Sequence, residues 1–243
     1  MRSAISVVFL MGLWGCGPAR DETSSTSDVE EAPAPETAST DAPDVEPDHY
    51  KVELENDHVR VLRISYKAGE EGKLHSHADG VTVFVTDGAV SLTLEDGTTQ
   101  ERSWEAGAAA WSPAETHGGV AKTDIEGILI EVKSGAAEAV IPESNATVSD
   151  PDHHVVEFEN DRVRIVRMTY PAGYATPPHD HLAGVNVMLA DYQGTNTAEG
   201  GEPAEVEGSA GEVSWADRGA AHVTRNTGEE PIELVRVEIK AAS

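Results

Sequence analysis

Gly69-Glu70-Glu71-Gly72-Lys73-Leu74-His75-Ser76-His77 returns, altered, as Gly173-Tyr174-Ala175-Thr176-Pro177-Pro178-His179-Asp180-His181. In both stretches five residues separate a glycine from a His-x-His pair. On a β-strand, residues two apart share a face, so each pair aims two imidazoles at one spot. Two converging neutral imidazoles are half of a transition-metal site. The sequence thus predicts two half-sites on strands.

The pairs belong to a longer repeat at an offset of 104 residues. Residues 47–85 align without a gap onto residues 151–189, and 19 of the 39 positions are identical. That match is too close for chance and marks a duplication. Val59 to Tyr66 and Val163 to Tyr170 are β-branched and aromatic runs interleaved with Arg, and Val81 to Val85, Val90 to Leu94 and Ile128 to Val132 have strand length. Asp96-Gly97 carries a hairpin signal. No stretch sustains a helical apolar period. The fold class is therefore all-β, with two tandem small barrels or double-sheet jelly rolls. The second copy replaces the first's central hairpin with a longer polar loop, Gln193 to Glu207.

A second cluster follows each pair: Gly107, Pro113 and His117 in copy one, and Gly211, Asp217, Gly219, His222 and Asn226 in copy two. Here the chain resembles the cupin superfamily. Its first motif is a glycine, five residues and His-x-His, followed by a glutamate. Its second motif places glycine, proline, glycine, histidine and asparagine in order. Copy two departs by Asp217 for proline. Copy one is a residue short and lacks the second glycine. The resemblance implies a bicupin, two double-stranded β-helix barrels. The glutamate ligand is missing from both copies. Its places fall on Val81 or Thr82 and on Val185 or Asn186, and Gly88 sets valine in the slot of copy one. The resemblance then implies two three-histidine centres, His75/His77/His117 and His179/His181/His222, with Asn186 a further candidate ligand from spacing. Such centres suit a divalent transition metal: Fe, Zn, Cu, Ni or Mn. Three-histidine members of the family include dioxygenases, while other members have lost metal and keep the barrel for binding or packing. An oxidoreductase, a small-molecule binder and a structural protein all remain open. The second site has the fuller motif.

Trp111 and Trp215 read as core. The repeated arginines read as ion-pair partners of the Glu55-Asn56-Asp57 type of segment.

The ends place these barrels. Arg2 and the apolar run to Leu13-Trp14-Gly15-Cys16 resemble a bacterial lipoprotein signal over residues 1–16, with Cys16 lipidated, although a plain secretory signal with an incidental cysteine reads similarly. Residues 17–48 are Ser, Thr, Pro, Ala and acid, with ten carboxylates after Arg20, and read as a disordered tether. Cupin domains are expected over residues 49–140 and 151–243, packed on each other. Cys16 is the chain's one cysteine, so metal ligands must be His, carboxylate or amide. A formal charge of −27 argues against nucleic-acid partners. The expectation is a lipid-anchored protein of the cell envelope, at the outer membrane facing the periplasm, with a small-molecule ligand.

Overall fold

In a computed structural model, residues 40–135 and 137–242 are described. Cys16, the signal segment and the tether up to residue 39 lie outside them. After a short helix, α1 (Ala42–Val45), the first repeat contributes nine strands. They are β1 (Tyr50–Glu55), β2 (Val59–Tyr66), β3 (Glu71–His77), β4 (Gly80–Phe84), β5 (Gly88–Leu94), β6 (Thr99–Trp104), β7 (Ala109–Ser112), β8 (Glu115–Ala121) and β9 (Ile125–Val132). The second repeat opens with α2 (Ala146–Ser149). It continues with β10 (His154–Glu159), β11 (Val163–Tyr170), β12 (Gly184–Met188), β13 (Tyr192–Ala198), β14 (Ala204–Gly208), β15 (Val213–Ala216), β16 (His222–Asn226) and β17 (Ile232–Ile239). No helix among the described residues is long and apolar enough to cross a membrane.

The first repeat forms two antiparallel sheets, ordered β1-β2-β9-β4-β7 and β3-β8-β5-β6. The second forms β10-β11-β17-β12-β15 and β14-β13-β16. The inner strands of the five-stranded sheets are buried largely on both faces, with charged residues such as Glu131, Arg164, Arg236 and Glu238 buried among the apolar ones. Val59 and Val61 of β2 and Ile128, Ile130 and Val132 of β9 join one buried cluster with Val163, Ile165, Val235, Val237 and Ile239 of the second repeat. The alternate residues, such as Leu62 and Leu129, face their own barrel. Reciprocal bonds border this cluster: Arg63 Nη2 donates to the Gly211 carbonyl at 2.6 Å, and Arg167 Nη2 to that of Gly107 at 2.7 Å. The recurring Gly80 and Gly184 have a packing cause. A Cβ there would meet the Ile130 or Val237 carbonyl oxygen at 2.1 or 2.3 Å.

Four expectations need correction. The tether does not reach residue 48. Ala42 is buried, Asp41 pairs with Arg60, and Glu46 accepts from Tyr66 and from the Lys73 amide. Acids that look solvated in sequence find buried donors in the barrel. The second repeat likewise starts earlier, since Asn145 and α2 repeat Asp41 and α1 at the same offset of 104. The polar stretch Gln193 to Glu207 is no loop but most of the β13–β14 hairpin, its threonines and asparagine paired across strands. The arginines pair mainly elsewhere than expected: Arg60 with Glu131 and Asp41, Arg63 with Glu53 and Glu126, and Arg167 with Glu157 and Glu233. Only Arg164, 3.7 Å from Glu159, reaches the expected kind of partner.

Candidate metal centre

In the first repeat, the β3–β8 register sets His75 opposite His117 and His77 opposite Glu115. The His117 ring centroid lies 4.9 Å from that of His75 and 5.2 Å from that of His77, so pairing brings the three predicted histidines together. His75 Nδ1 is 2.9 Å from the Lys73 carbonyl, and His77 Nδ1 is 3.0 Å from the Ala78 carbonyl. A carbonyl only accepts, so each Nδ1 carries the proton and each Nε2 keeps its lone pair. The His75 Nε2 is buried with no hydrogen-bond partner among the described residues. His117 Nδ1 donates to Glu115 Oε2 at 2.7 Å, and Arg102 grips both Glu115 oxygens at 2.8 and 3.0 Å. Burial would raise the Glu115 carboxyl, but the bonds from Arg102 and His117 outweigh it and hold the group at about 2. Burial pushes His117 down to about 4 and lowers His75 as well. Ligand-capable atoms of His77, Glu115 and His117 lie within 4.8 Å of one another. Because Glu115 is held by Arg102, its chemistry is to orient His117, as carboxylates do behind metal-ligating histidines.

The second repeat builds its site without a strand matching β3. Pro177 and Pro178 lack the amide hydrogens a ladder needs, so the His179–His181 pair sits on isolated bridges. His179 and His222 exchange backbone bonds of 3.0 and 2.9 Å, and their ring centroids are 4.5 Å apart. His181 lies 4.8 Å from His179 and 5.6 Å from His222, so this triad also converges. The Pro177 carbonyl fixes the His179 proton on Nδ1 at 2.9 Å, and the buried Nε2 is again unpartnered among the described residues. Burial lowers His179 to about 4 and also lowers His222. It sends His181 well below the ordinary range, helped by the Arg236 charge.

Sequence reasoning missed His154. Its ligand-capable atoms group with those of His179 and His181 within 4.8 Å. Both its nitrogens are engaged, Nδ1 with the Asp150 carbonyl at 2.9 Å and Nε2 with the Tyr170 hydroxyl at 2.7 Å. It is therefore a wall of the site, and His222 keeps the better claim to be third ligand. Asn186 is present in the cavity wall, but its amide oxygen accepts from Arg236 Nη1 at 2.8 Å. Val81 and Val185 point into the shared core, while Thr82 and Asn186 face the cavities, so the slot given to valine belongs to the next residue. A one-residue shift of strand register exchanges faces, which spacing alone did not resolve.

The two cavities differ. The first holds about 780 Å³ and is walled by Phe84, Leu92, Trp104, Trp111 and Leu129 beside its histidines. The second holds about 360 Å³, with Asn186, Asn196, Ser214, Thr224 and Arg236 on its walls. Strand register explains the change: Leu129 stands opposite Thr82 as Arg236 stands opposite Asn186. An Arg where the other copy has Leu was the legible signal.

No family model matches this chain, and no curated protein resembles it in sequence. Solved structures do resemble it in shape. AerE from Microcystis aeruginosa superimposes with a TM-score of 0.51 at 14% identity, over 79% of this chain and 97% of that one. Lactobacillus farciminis oxalate decarboxylase, in a formate complex, gives 0.51 at 11% identity over 80% and 81% of the two chains. A tryptophan-to-phenylalanine variant of the B. subtilis oxalate decarboxylase gives 0.50 at 12% identity over 77% and 70%. At these identities the likeness speaks for architecture. With the two barrels and their recurring His-x-His pairs, it gives this chain the tandem cupin-type β-barrel fold.

Proposed function

We propose that this protein is a metal-binding double barrel that holds, and in one reading transforms, a small molecule beside three-histidine centres. The single observation that carries it is the tautomer lock. The Lys73 and Pro177 carbonyls accept hydrogen bonds from the Nδ1–H groups of His75 and His179 and leave a buried Nε2 lone pair on each. A buried acceptor without a donor is costly, and a divalent transition metal is the partner that suits converging neutral imidazoles. His75, His77 and His117 would hold one ion; His179, His181 and His222 would hold the other. When bound, Fe, Zn, Cu, Ni or Mn would supply a Lewis-acid or redox centre. The chain's own share is to keep the imidazoles neutral by burial, to orient His117 through Glu115, and to wall the ligand from water.

A non-enzymatic reading has its own support in the first repeat. Glu115, the carboxyl grouped with that site's histidines, is held ionised by Arg102 and His117, so it is no proton donor. We further propose, on the sequence, that Cys16 carries a lipid and the acidic segment after it tethers the barrels at the bacterial envelope, facing the periplasm. Fatty-acid label lost on Cys16→Ala tests that anchor.

Metal analysis of the full-length chain, purified without added metal and then offered Fe(II), Zn(II), Cu(II), Ni(II) or Mn(II), tests the main reading. Binding that His179→Ala removes from one site alone is expected. A chain that takes up none of these ions sinks it.

A further inference from the structure

We infer that the second cavity is a receptor site for a small monocarboxylate with an apolar tail, its charged end held by Arg236. This deepens the small-molecule reading and does not depend on the metal. Arg236 is 4% exposed and lines the cavity. Its donors meet only neutral oxygens: Asn186 Oδ1 at 2.8 Å, the Leu182 carbonyl at 2.6 Å and the Ala216 carbonyl at 3.4 Å. Its Nε has no acceptor among the described residues. No carboxylate of the described residues lies within ion-pair reach of it. Glu238, two residues on along the same face, sits 3.1 Å from Arg164 and acts on Arg236 only from beyond ion-pair reach.

Behind the cavity wall, Arg164 and Arg236 share the buried Glu238 carboxylate, which leaves the three with one positive charge in excess. Two carboxylates also line this cavity, Glu212 and Asp217, but both are exposed and bound to the Ser209 amide and the Trp215 indole N–H, where water screens them. A buried guanidinium that shares its one buried carboxylate with a second arginine is under-compensated, and an entering anion relieves it with charge-assisted hydrogen bonds. The fold itself does not require the arginine, since the first repeat has Leu129 in that place. In the metal-free chain used for the test, that single excess charge matches a monoanion. Met168, Met188, Ile232 and Leu234 line the same cavity and give a short hydrocarbon group somewhere to lie. A volume of about 360 Å³ suits a ligand of that size.

The test uses the full-length chain, metal-free under chelator, titrated at constant ionic strength with hexanoate, its neutral analogue hexanamide and inorganic phosphate. Hexanoate is expected to bind at least about tenfold more tightly than hexanamide, the scale of a charged hydrogen bond. Arg236→Leu, which imports the first repeat's residue, is expected to erase that preference. Arg236→Lys keeps the charge and should retain part of it, and a melting curve reports folding of each variant. Equal binding of acid and amide by the native chain overturns the inference without any variant. So does undiminished hexanoate binding by a folded Arg236→Leu chain. Phosphate binding more tightly than hexanoate overturns the carboxylate assignment. Metal uptake is read separately. A chain that takes metal and ignores hexanoate refutes this inference alone, and the converse refutes the metal reading alone.

Discussion

The two barrels keep one backbone plan and fill it differently. The first sets Tyr50 against His75, Leu129 on the cavity wall and a Glu115–Arg102 clamp behind His117. The second sets His154 against His179, Arg236 on the wall, and no clamp of that kind, since Ala220 stands two before His222 as Glu115 stands two before His117. Duplication lets the shared core and the reciprocal Gly107 and Gly211 contacts hold both sites in place while the linings diverge. The lesson is that the scaffold tolerates a change from oil to charge at a single inward position.

The largest expected effect separates two equivalent glutamates. Glu238 is fully buried against Arg164, itself 3% exposed. Glu238→Ala leaves that guanidinium with a neutral partner, the Thr147 hydroxyl at 2.6 Å, and the long contact to Glu159, and is expected to cost about 3–5 kcal/mol. Glu131→Ala removes the counterpart from Arg60, but Asp41 still binds both Arg60 terminal nitrogens at 2.7 Å, so about 1–2 kcal/mol is expected. Urea denaturation of both variants checks this. Equal losses would mean the ionic ends of the barrels are alike.

Acid should act on both barrels. In the unfolded metal-free chain, imidazoles gain protons below pH about 6.5, while His117 and His179 in the folded chain resist until about 4. The unfolded state therefore binds more protons across that window, and stability falls as pH drops through it. Each of the two histidines contributes a loss of up to about 3 kcal/mol by the bottom of the window. Denaturation midpoints at pH 7.5, 6 and 5, compared with His117→Gln and His179→Gln, isolate their share. Variants with the native slope would refute it.

The metal centres should respond unequally to the loss of Glu115. Glu115→Gln frees the His117 ring from its anionic partner and is expected to weaken metal binding at the first site by about 10–100-fold. The second site should be unchanged. Metal titration watched at each site distinguishes this from a general loss of fold, which would lower both.

What could be read from the chain followed from local rules. The His-x-His pairs, β2, β11 and the two-barrel plan rested on period-two pattern and on a repeat of 19 identities in 39. The unread parts depend on partners distant in sequence. Nothing local tells that Asp41 meets Arg60, that Glu46 meets Tyr66, or that β17 turns Arg236 rather than Val235 into the barrel. The polar β13–β14 hairpin escaped because its stabilisation comes from cross-strand pairing instead of apolar content.

The smallest expected effect concerns the residues that open each repeat. Asp41 and Asn145 are equivalent by the 104-residue offset, and each bridges the strand or bridge that carries a histidine pair. Asp41 answers Arg60 with two bonds. Asn145 caps α2 through Thr147, and the neighbouring Arg164 Nε makes no hydrogen bond among the described residues, with Glu159 3.7 Å away. Asn145→Asp keeps a capping oxygen, since Asp and Asn cap about equally well, and offers Arg164 a carboxylate beside Glu238, as Asp41 stands beside Glu131 for Arg60. The carboxylate loses solvation on burial but gains a charged partner that is buried already, so a net gain of up to about 1 kcal/mol is expected. For a chain of this size that is a rise of about 2–4 °C in Tm. A fall in Tm would show that the second repeat's arginine is satisfied as it stands, and that the two openings diverged in their packing and not by loss of a partner.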